Sequence, residues 1–129
     1  GLANDFLRMK RALAARVAPG KEAGATLSGT PGYLAPEQLL GARGDVRSDL
    51  YATGVVLYEV LAGRRPFPAS DPAELSYRQM NEDPPPLRDL VPDVPEALEA
   101  AILRCLSREP SARFAGAAEL LAALGETRS

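Results

Sequence analysis

Asp49-Leu50-Tyr51-Ala52-Thr53-Gly54-Val55-Val56-Leu57-Tyr58-Glu59-Val60-Leu61-Ala62 is apolar at ten of its fourteen positions, and on a helix those positions face every side. A helix of that kind has to be buried. Ser48 or Asp49 is placed to cap its start, and Gly63 to close it. Other elements must cover it, and the flanking sequence supplies them.

Downstream, Asp71-Pro72-Ala73-Glu74 sets a cap, a first-turn proline and a third-position glutamate in the order of a capping box. The helix it starts ends before Pro84-Pro85-Pro86, with Leu75 and Met80 as its expected inner contacts. Leu98, Ala101, Ile102, Cys105 and Leu106 then recur at i, i+3, i+4, i+7 and i+8, which predicts an amphipathic helix starting after Pro95. Ala117, Leu120, Leu121 and Leu124 predict another, starting near Phe114 and stopped by Gly125. No stretch alternates as a strand would, so the residues by themselves read as a mainly α unit with no internal repeat.

Upstream, residues 4–30 carry no sustained period and are rich in Ala, Gly and basic side chains; one short helix over Asp5–Val17 is the most they suggest. Between this arm and the apolar helix lies Pro31-Gly32-Tyr33-Leu34-Ala35-Pro36-Glu37. A proline at either end favours turned or extended backbone there.

A chain of 129 residues and 13.7 kDa builds one modest core, and its 46% hydrophobic and 25% charged residues are those of a folded protein. With no histidine and the single cysteine Cys105, residues 1–129 hold no zinc cluster, no histidine-based triad and no disulfide. Residues 1–30 carry five basic and two acidic side chains, and residues 31–129 ten and fifteen, for a net charge of −2. The basic residues Arg8, Lys10, Arg11, Arg16 and Lys21 are accompanied only by Phe6 among aromatics, so no nucleic-acid partner is expected. No run approaches the roughly 20 apolar residues of a membrane span, and no secretion pattern opens the sequence. The first residue is Gly1 and not methionine, which points to a piece of something longer.

Gly29-Thr30-Pro31-Gly32-Tyr33-Leu34-Ala35-Pro36-Glu37 closely resembles the end of the activation segment of protein kinases, which closes on an Ala-Pro-Glu triplet. Three further stretches resemble later kinase features in the right order. Asp49 to Gly54 is similar to the start of the buried central helix, Gly63-Arg64-Arg65-Pro66-Phe67 to its exit, and Pro110-Ser111-Ala112-Arg113-Phe114 to the late arginine motif. The chain is thereby identified as resembling the bacterial, eukaryotic-like (Hanks-type) serine/threonine protein kinases. The implied fold is the helical C-terminal lobe with an amino-terminal activation-segment arm. Residues 1–37 would be that segment, 38–125 the lobe and 126–129 a tail.

The resemblance puts Gly1 at the glycine of the Asp-Phe-Gly motif, as a remnant of the metal site. The glycine-rich loop, the phosphate lysine, the catalytic aspartate and the magnesium aspartate would then lie upstream. It implies ATP and magnesium as cofactors of the parent protein, with none bound by this span, no metal ligand in it and no catalytic residue. Residues 1–129 alone should therefore be inactive. Protein substrates and the upstream lobe of the same chain are the implied partners, and the cytoplasm the implied compartment. The alternative is a pseudokinase or regulatory scaffold that binds partners without moving phosphate.

Roles are implied residue by residue. Glu37 and Arg113 correspond to a buried ion pair; without the family they read as surface charges. Asp49 would brace the catalytic loop, though capping alone explains it. Gly29, Thr30, Pro31, Gly32 and Tyr33 would position the substrate, with Thr30 favouring Ser/Thr acceptors, or else form a simple turn. Glu59 would contact basic substrate residues or make a structural hydrogen bond. Thr26 and Ser28 are candidate phosphorylation sites, or ordinary polar loop residues.

Overall fold

The computed structural model describes residues 31–125, and the short helix expected over Asp5–Val17 lies outside them. A 3₁₀ turn at Pro31–Tyr33 leads into α1 (Pro36–Leu39), α2 (Val46–Ala62) and α3 (Pro72–Asn81). Then come α4 (Leu87–Leu90), α5 (Glu96–Cys105), a second 3₁₀ turn at Pro110–Ala112 and α6 (Ala117–Gly125). Among the described residues there is no strand. The mainly α architecture is the one the hydrophobic spacing predicts.

The apolar run is the hub. Leu50, Tyr51, Ala52, Thr53, Gly54, Val55, Leu57, Tyr58 and Leu61 of α2 are all buried. Its cap lies three residues further upstream than Ser48: Asp45 accepts from the Ser48 amide at 2.9 Å, and Ser48 Oγ accepts from the Asp45 amide at 2.7 Å. Ser48 completes this reciprocal box and Asp49 sits in the first turn, so neither is the cap. Both groups of the box are polar and short, and periodicity alone could not choose among Asp45, Ser48 and Asp49. Gly63 ends the helix with φ +78°, its amide donating to the Glu59 carbonyl at 2.9 Å.

α5 lies against α2, and α6 against α5. The α2–α5 approach is set by Gly54: a Cβ there would stand 2.7 Å from Cys105 Cβ and 3.2 Å from Leu106 Cδ2. No side chain fits. The expected inner face of α5 is all buried, namely Leu98, Ala101, Ile102 and Cys105, with Leu106 just beyond the helix end. In α6, Leu120 and Leu124 are buried while Leu121 is 46% exposed, contrary to expectation. A step of one residue turns about 100° around the axis, and α6 packs along one narrow stripe, which leaves 121 off it. This helix also starts at Ala117, three residues after the buried Phe114.

In α3 the buried pair is Leu75 and Gln79, and Met80 is 50% exposed, again contrary to expectation. Five residues carry Met80 about 140° from Leu75, whereas four bring Gln79 back onto the same face. Asp71 caps α3 by accepting from the Glu74 amide at 2.8 Å. Glu74 does not close the expected box on Asp71; it accepts instead from the Ser70 amide and hydroxyl, at 3.0 and 2.8 Å. The proline run ends the helix as predicted and is pinned to the core by Tyr58, whose hydroxyl donates to the Pro85 carbonyl at 2.6 Å.

Candidate functional site

Two prolines shape the segment 31–37 locally. The backbone turns at Pro31–Tyr33, and Pro36 then takes the first position of α1, where its missing N–H costs nothing. Gln38 Oε1 reaches back to accept from the Ala35 amide at 3.1 Å. The strap is held to the core at two junctions.

Glu37 and Arg113 form the first. Arg113 Nη1 donates to Glu37 Oε2 at 2.8 Å and Nη2 to Oε1 at 2.9 Å, a bidentate fork across 76 sequence positions. The other donors are used as well. Nε donates to the Ser107 carbonyl at 2.8 Å, Nη1 to that of Arg47 at 3.0 Å and Nη2 to that of Arg108 at 3.2 Å. The guanidinium lies 5.0 Å from the centre of the Tyr51 ring, and the Arg113 side chain is fully buried. Burial pushes the Glu37 carboxyl upward, but the Arg113 hydrogen bonds and charge outweigh it and hold the group below its ordinary range. Burial likewise raises the Tyr51 hydroxyl, with the Arg113 charge and the Gln79 amide working against it.

Tyr33, Glu59 and Arg65 form the second. The Tyr33 hydroxyl donates to Glu59 Oε1 at 2.6 Å, and Arg65 Nε stands 3.8 Å from Glu59 Oε2. The Arg65 guanidinium also lies 5.2 Å from the centre of the Tyr33 ring. It rests on Gly32 as well: a Cβ there would fall 1.7 Å from Nη1, so a side chain at position 32 would make the flexible end of Arg65 move aside. The Tyr33 hydroxyl is raised by burial first, then by the Glu59 hydrogen bond and charge, with Arg65 opposing. Glu59 and Arg65 are each more than a third exposed, so this junction borders solvent.

The structure thus brings Glu37 to Arg113 and Tyr33 to Glu59, and lays Gly32 under Arg65. Asp49 occupies the first turn of α2, its amide donating to the Asp45 carbonyl at 2.9 Å. Pro31 opens the first turn. Gly1, Thr26, Ser28, Gly29 and Thr30 lie outside the described residues. Two arginines that sequence reasoning passed over hold the surroundings together. Arg47 donates to the Pro110 carbonyl at 2.9 Å, and Arg108 to the carbonyls of Gln79 and Glu82, each at 2.6 Å. Bonds to carbonyls leave no trace in the sequence, and the acidic partner of Arg108, Asp83 Oδ1 at 3.1 Å, lies 25 positions away, beyond any local rule. Cys105 is buried, and desolvation pushes its thiol up to about 12, so it is not a nucleophile at neutral pH. Among the described residues no group of three or more His, Cys, Asp and Glu comes together to hold a metal. Nor is any helix among them long and apolar enough to cross a membrane.

The protein kinase domain family matches residues 12–123. The chain belongs to that family. Over 101 residues this kinase-domain chain is 40% identical to a probable serine/threonine-protein kinase PknB of Corynebacterium glutamicum, covering 75% of this chain and 16% of that protein. Over 100 residues it is 42% identical to the serine/threonine-protein kinase PknB of Mycolicibacterium smegmatis, covering 78% of this chain and 16% of that one. The chain therefore spans about one sixth of the length of these curated relatives. Among solved structures, titin kinase and its flanking domains superpose with a TM-score of 0.65 at 22% identity, over 78% of this chain and 18% of that one. That likeness shows the fold, a helical kinase lobe, while the family match and the bacterial relatives make the chain a fragment of a bacterial Hanks-type kinase.

Proposed function

We propose that the chain is the activation segment (residues 1–37) and helical lobe (residues 38–125) of a serine/threonine protein kinase, followed by a short tail at 126–129. The intact enzyme transfers the γ-phosphate of ATP to Ser and Thr hydroxyls of protein substrates, in the cytoplasm. The observation that carries this reading is the double anchoring of 31–37, by the Arg113 fork at one end and the Tyr33–Glu59 bond at the other. Positioning is most of what such an enzyme does for phosphoryl transfer, and a strap fixed at both ends on a buried helix is a surface on which a peptide can be aligned. The relatives named as serine/threonine kinases support the acceptor type.

Magnesium and ATP, when bound, supply the phosphoryl group and neutralise its charge. The described residues offer them no ligand set, and the proposal assigns both to the upstream lobe that pairs with this one. Gly29, Thr30, Pro31, Gly32 and Tyr33 position the substrate, Glu59 does so through its bond to Tyr33, and Thr26 or Ser28 receives an activating phosphate. Asp49 braces the catalytic loop, and Gly1 is the remnant of the metal motif. Residues 1–129 by themselves are silent in a transfer assay.

The test is phosphate incorporation by the intact protein with labelled ATP, magnesium and a protein substrate, followed by phosphoamino-acid analysis. Phosphoserine and phosphothreonine are expected. Binding of substrate with no phosphate transferred would replace the enzyme by a regulatory scaffold.

A further inference from the structure

Glu59 is the carboxylate that faces the Tyr33 end of the strap, and its two oxygens are both engaged from within the chain. Oε1 accepts from Tyr33 at 2.6 Å, and Oε2 has the Arg65 Nε at 3.8 Å. A substrate cation arriving there would have to displace Arg65. Arg65, in contrast, has donors to give. Nε faces Glu59 and Nη1 lies over the Gly32 α-carbon, but among the described residues neither Nη1 nor Nη2 has a hydrogen-bond acceptor. Arg65 borders a cleft of about 190 Å³ lined also by Gly32, Phe67, Ser70, Asp71 and Leu75 among others.

The cleft's other charges do not cancel that guanidinium. Asp71 is turned to the start of α3, where it accepts from the Glu74 amide at 2.8 Å, and Glu74 holds Ser70 and Arg78. Arg64 adds a second positive charge beside Arg65, its Nε donating to the Arg65 carbonyl at 3.4 Å. A guanidinium with unused terminal nitrogens, at 39% side-chain exposure, is a fork for a carboxylate.

We propose that Arg65 is a specificity residue of the docking face, shielding Glu59 from basic substrate residues and offering its terminal nitrogens to an acidic side chain of the substrate peptide. This rests on the reading of 31–37 as a substrate strap and names the substrate class that strap selects. Glycine at position 32 is part of the device, because a side chain there would push the guanidinium off the shelf.

The experiment uses the intact kinase and a set of acceptor peptides in which Asp or Arg is placed in turn at each position flanking the Ser or Thr. The wild type, Arg65→Gln, Arg65→Glu and Gly32→Ala are compared by kcat/KM and, without ATP, by peptide affinity from fluorescence anisotropy. At one flanking position the wild type should favour Asp over Arg by about fivefold, the ratio a partly exposed charge pair supports. Arg65→Gln should level that preference, Arg65→Glu reverse it, and Gly32→Ala weaken it by moving the guanidinium. A merely structural role for Arg65 would lower all peptides alike and leave the ratio untouched. An unchanged ratio in Arg65→Glu, or no peptide binding by any form, overturns the proposal. Phosphate transfer with an unchanged ratio would sink the role of Arg65 and leave the kinase. A binding preference that follows Arg65 without any transfer would do the reverse.

Discussion

Arg113 and Arg65 both reach the strap at 31–37, yet Arg113 directs all of its N–H groups to acceptors inside the protein, whereas among the described residues Arg65 directs only Nε toward one. Burial makes the difference. A fully buried guanidinium is tolerable only when every donor is matched, so Arg113 is committed to one geometry. Arg65 borders water, which satisfies whatever the protein leaves, and it remains free to exchange water for a ligand. The two junctions teach that saturation marks the structural anchor, and that spare donors are what the proposed docking role of Arg65 rests on.

The largest effect that could break this contrast comes from the saturated side. Arg113→Ala in the intact protein leaves the Glu37 carboxylate and three carbonyls without their donor, and should cost about 3–5 kcal/mol in denaturant unfolding. Arg113→Lys keeps the charge but cannot reproduce a planar fork, and should recover less than half of that loss. Arg65→Gln should change stability by no more than about 1 kcal/mol. Equal losses at 113 and 65 would erase the distinction.

Acid sharpens the same side. The folded-state pKa of Glu37 is lowered, so its contribution is complete above the unfolded carboxylate value and is lost as pH falls through the lower folded one. Stability of the wild type should therefore fall between about pH 5 and pH 3 more steeply than that of Glu37→Gln, which has no charge to lose there. Parallel slopes would mean that the fork does not hold the carboxylate in its charged form.

How much of this was legible in the residues follows from how local each signal is. α2 was readable because it is apolar on every side and α5 because its apolar residues recur at helical spacing, and both signals are local in the sequence. The exposure of Met80 and Leu121 was not, because each helix buries a stripe narrower than its apolar set and the neighbour decides which flank is covered. The Glu37–Arg113 contact joins positions 76 apart, and no local rule connects them; it came within reach only through the resemblance of the flanking motifs. Arg65 lay inside a quoted motif without any role. Its significance depends on standing over Gly32 and beside Glu59, a proximity that the turn after α2 creates and composition does not encode.

The smallest expected effect tests the open junction from the other end of the pH scale. Tyr33→Phe removes the hydroxyl that donates to Glu59, but Glu59 is more than a third exposed and water can replace the donor, so the loss should be about 0.5–1 kcal/mol at neutral pH. The hydroxyl's pKa is raised above its ordinary value of 10.0, which fixes the sign. The contribution of Tyr33 is complete below the unfolded tyrosine value and is lost as pH climbs through the higher folded one, since a phenolate beside Glu59 repels where the phenol donated. Tyr51 and Tyr58 are raised as well, and only the gap between wild type and Tyr33→Phe isolates this group. That gap should stay constant from neutral pH to about pH 9 and close above about pH 10. Arg65→Gln should make it close at lower pH, because Arg65 is the charge that opposes the rise. A gap that is flat through the alkaline range would show that the Tyr33 hydroxyl is not coupled to Glu59, and the open junction would then lose the contact that ties the strap to α2.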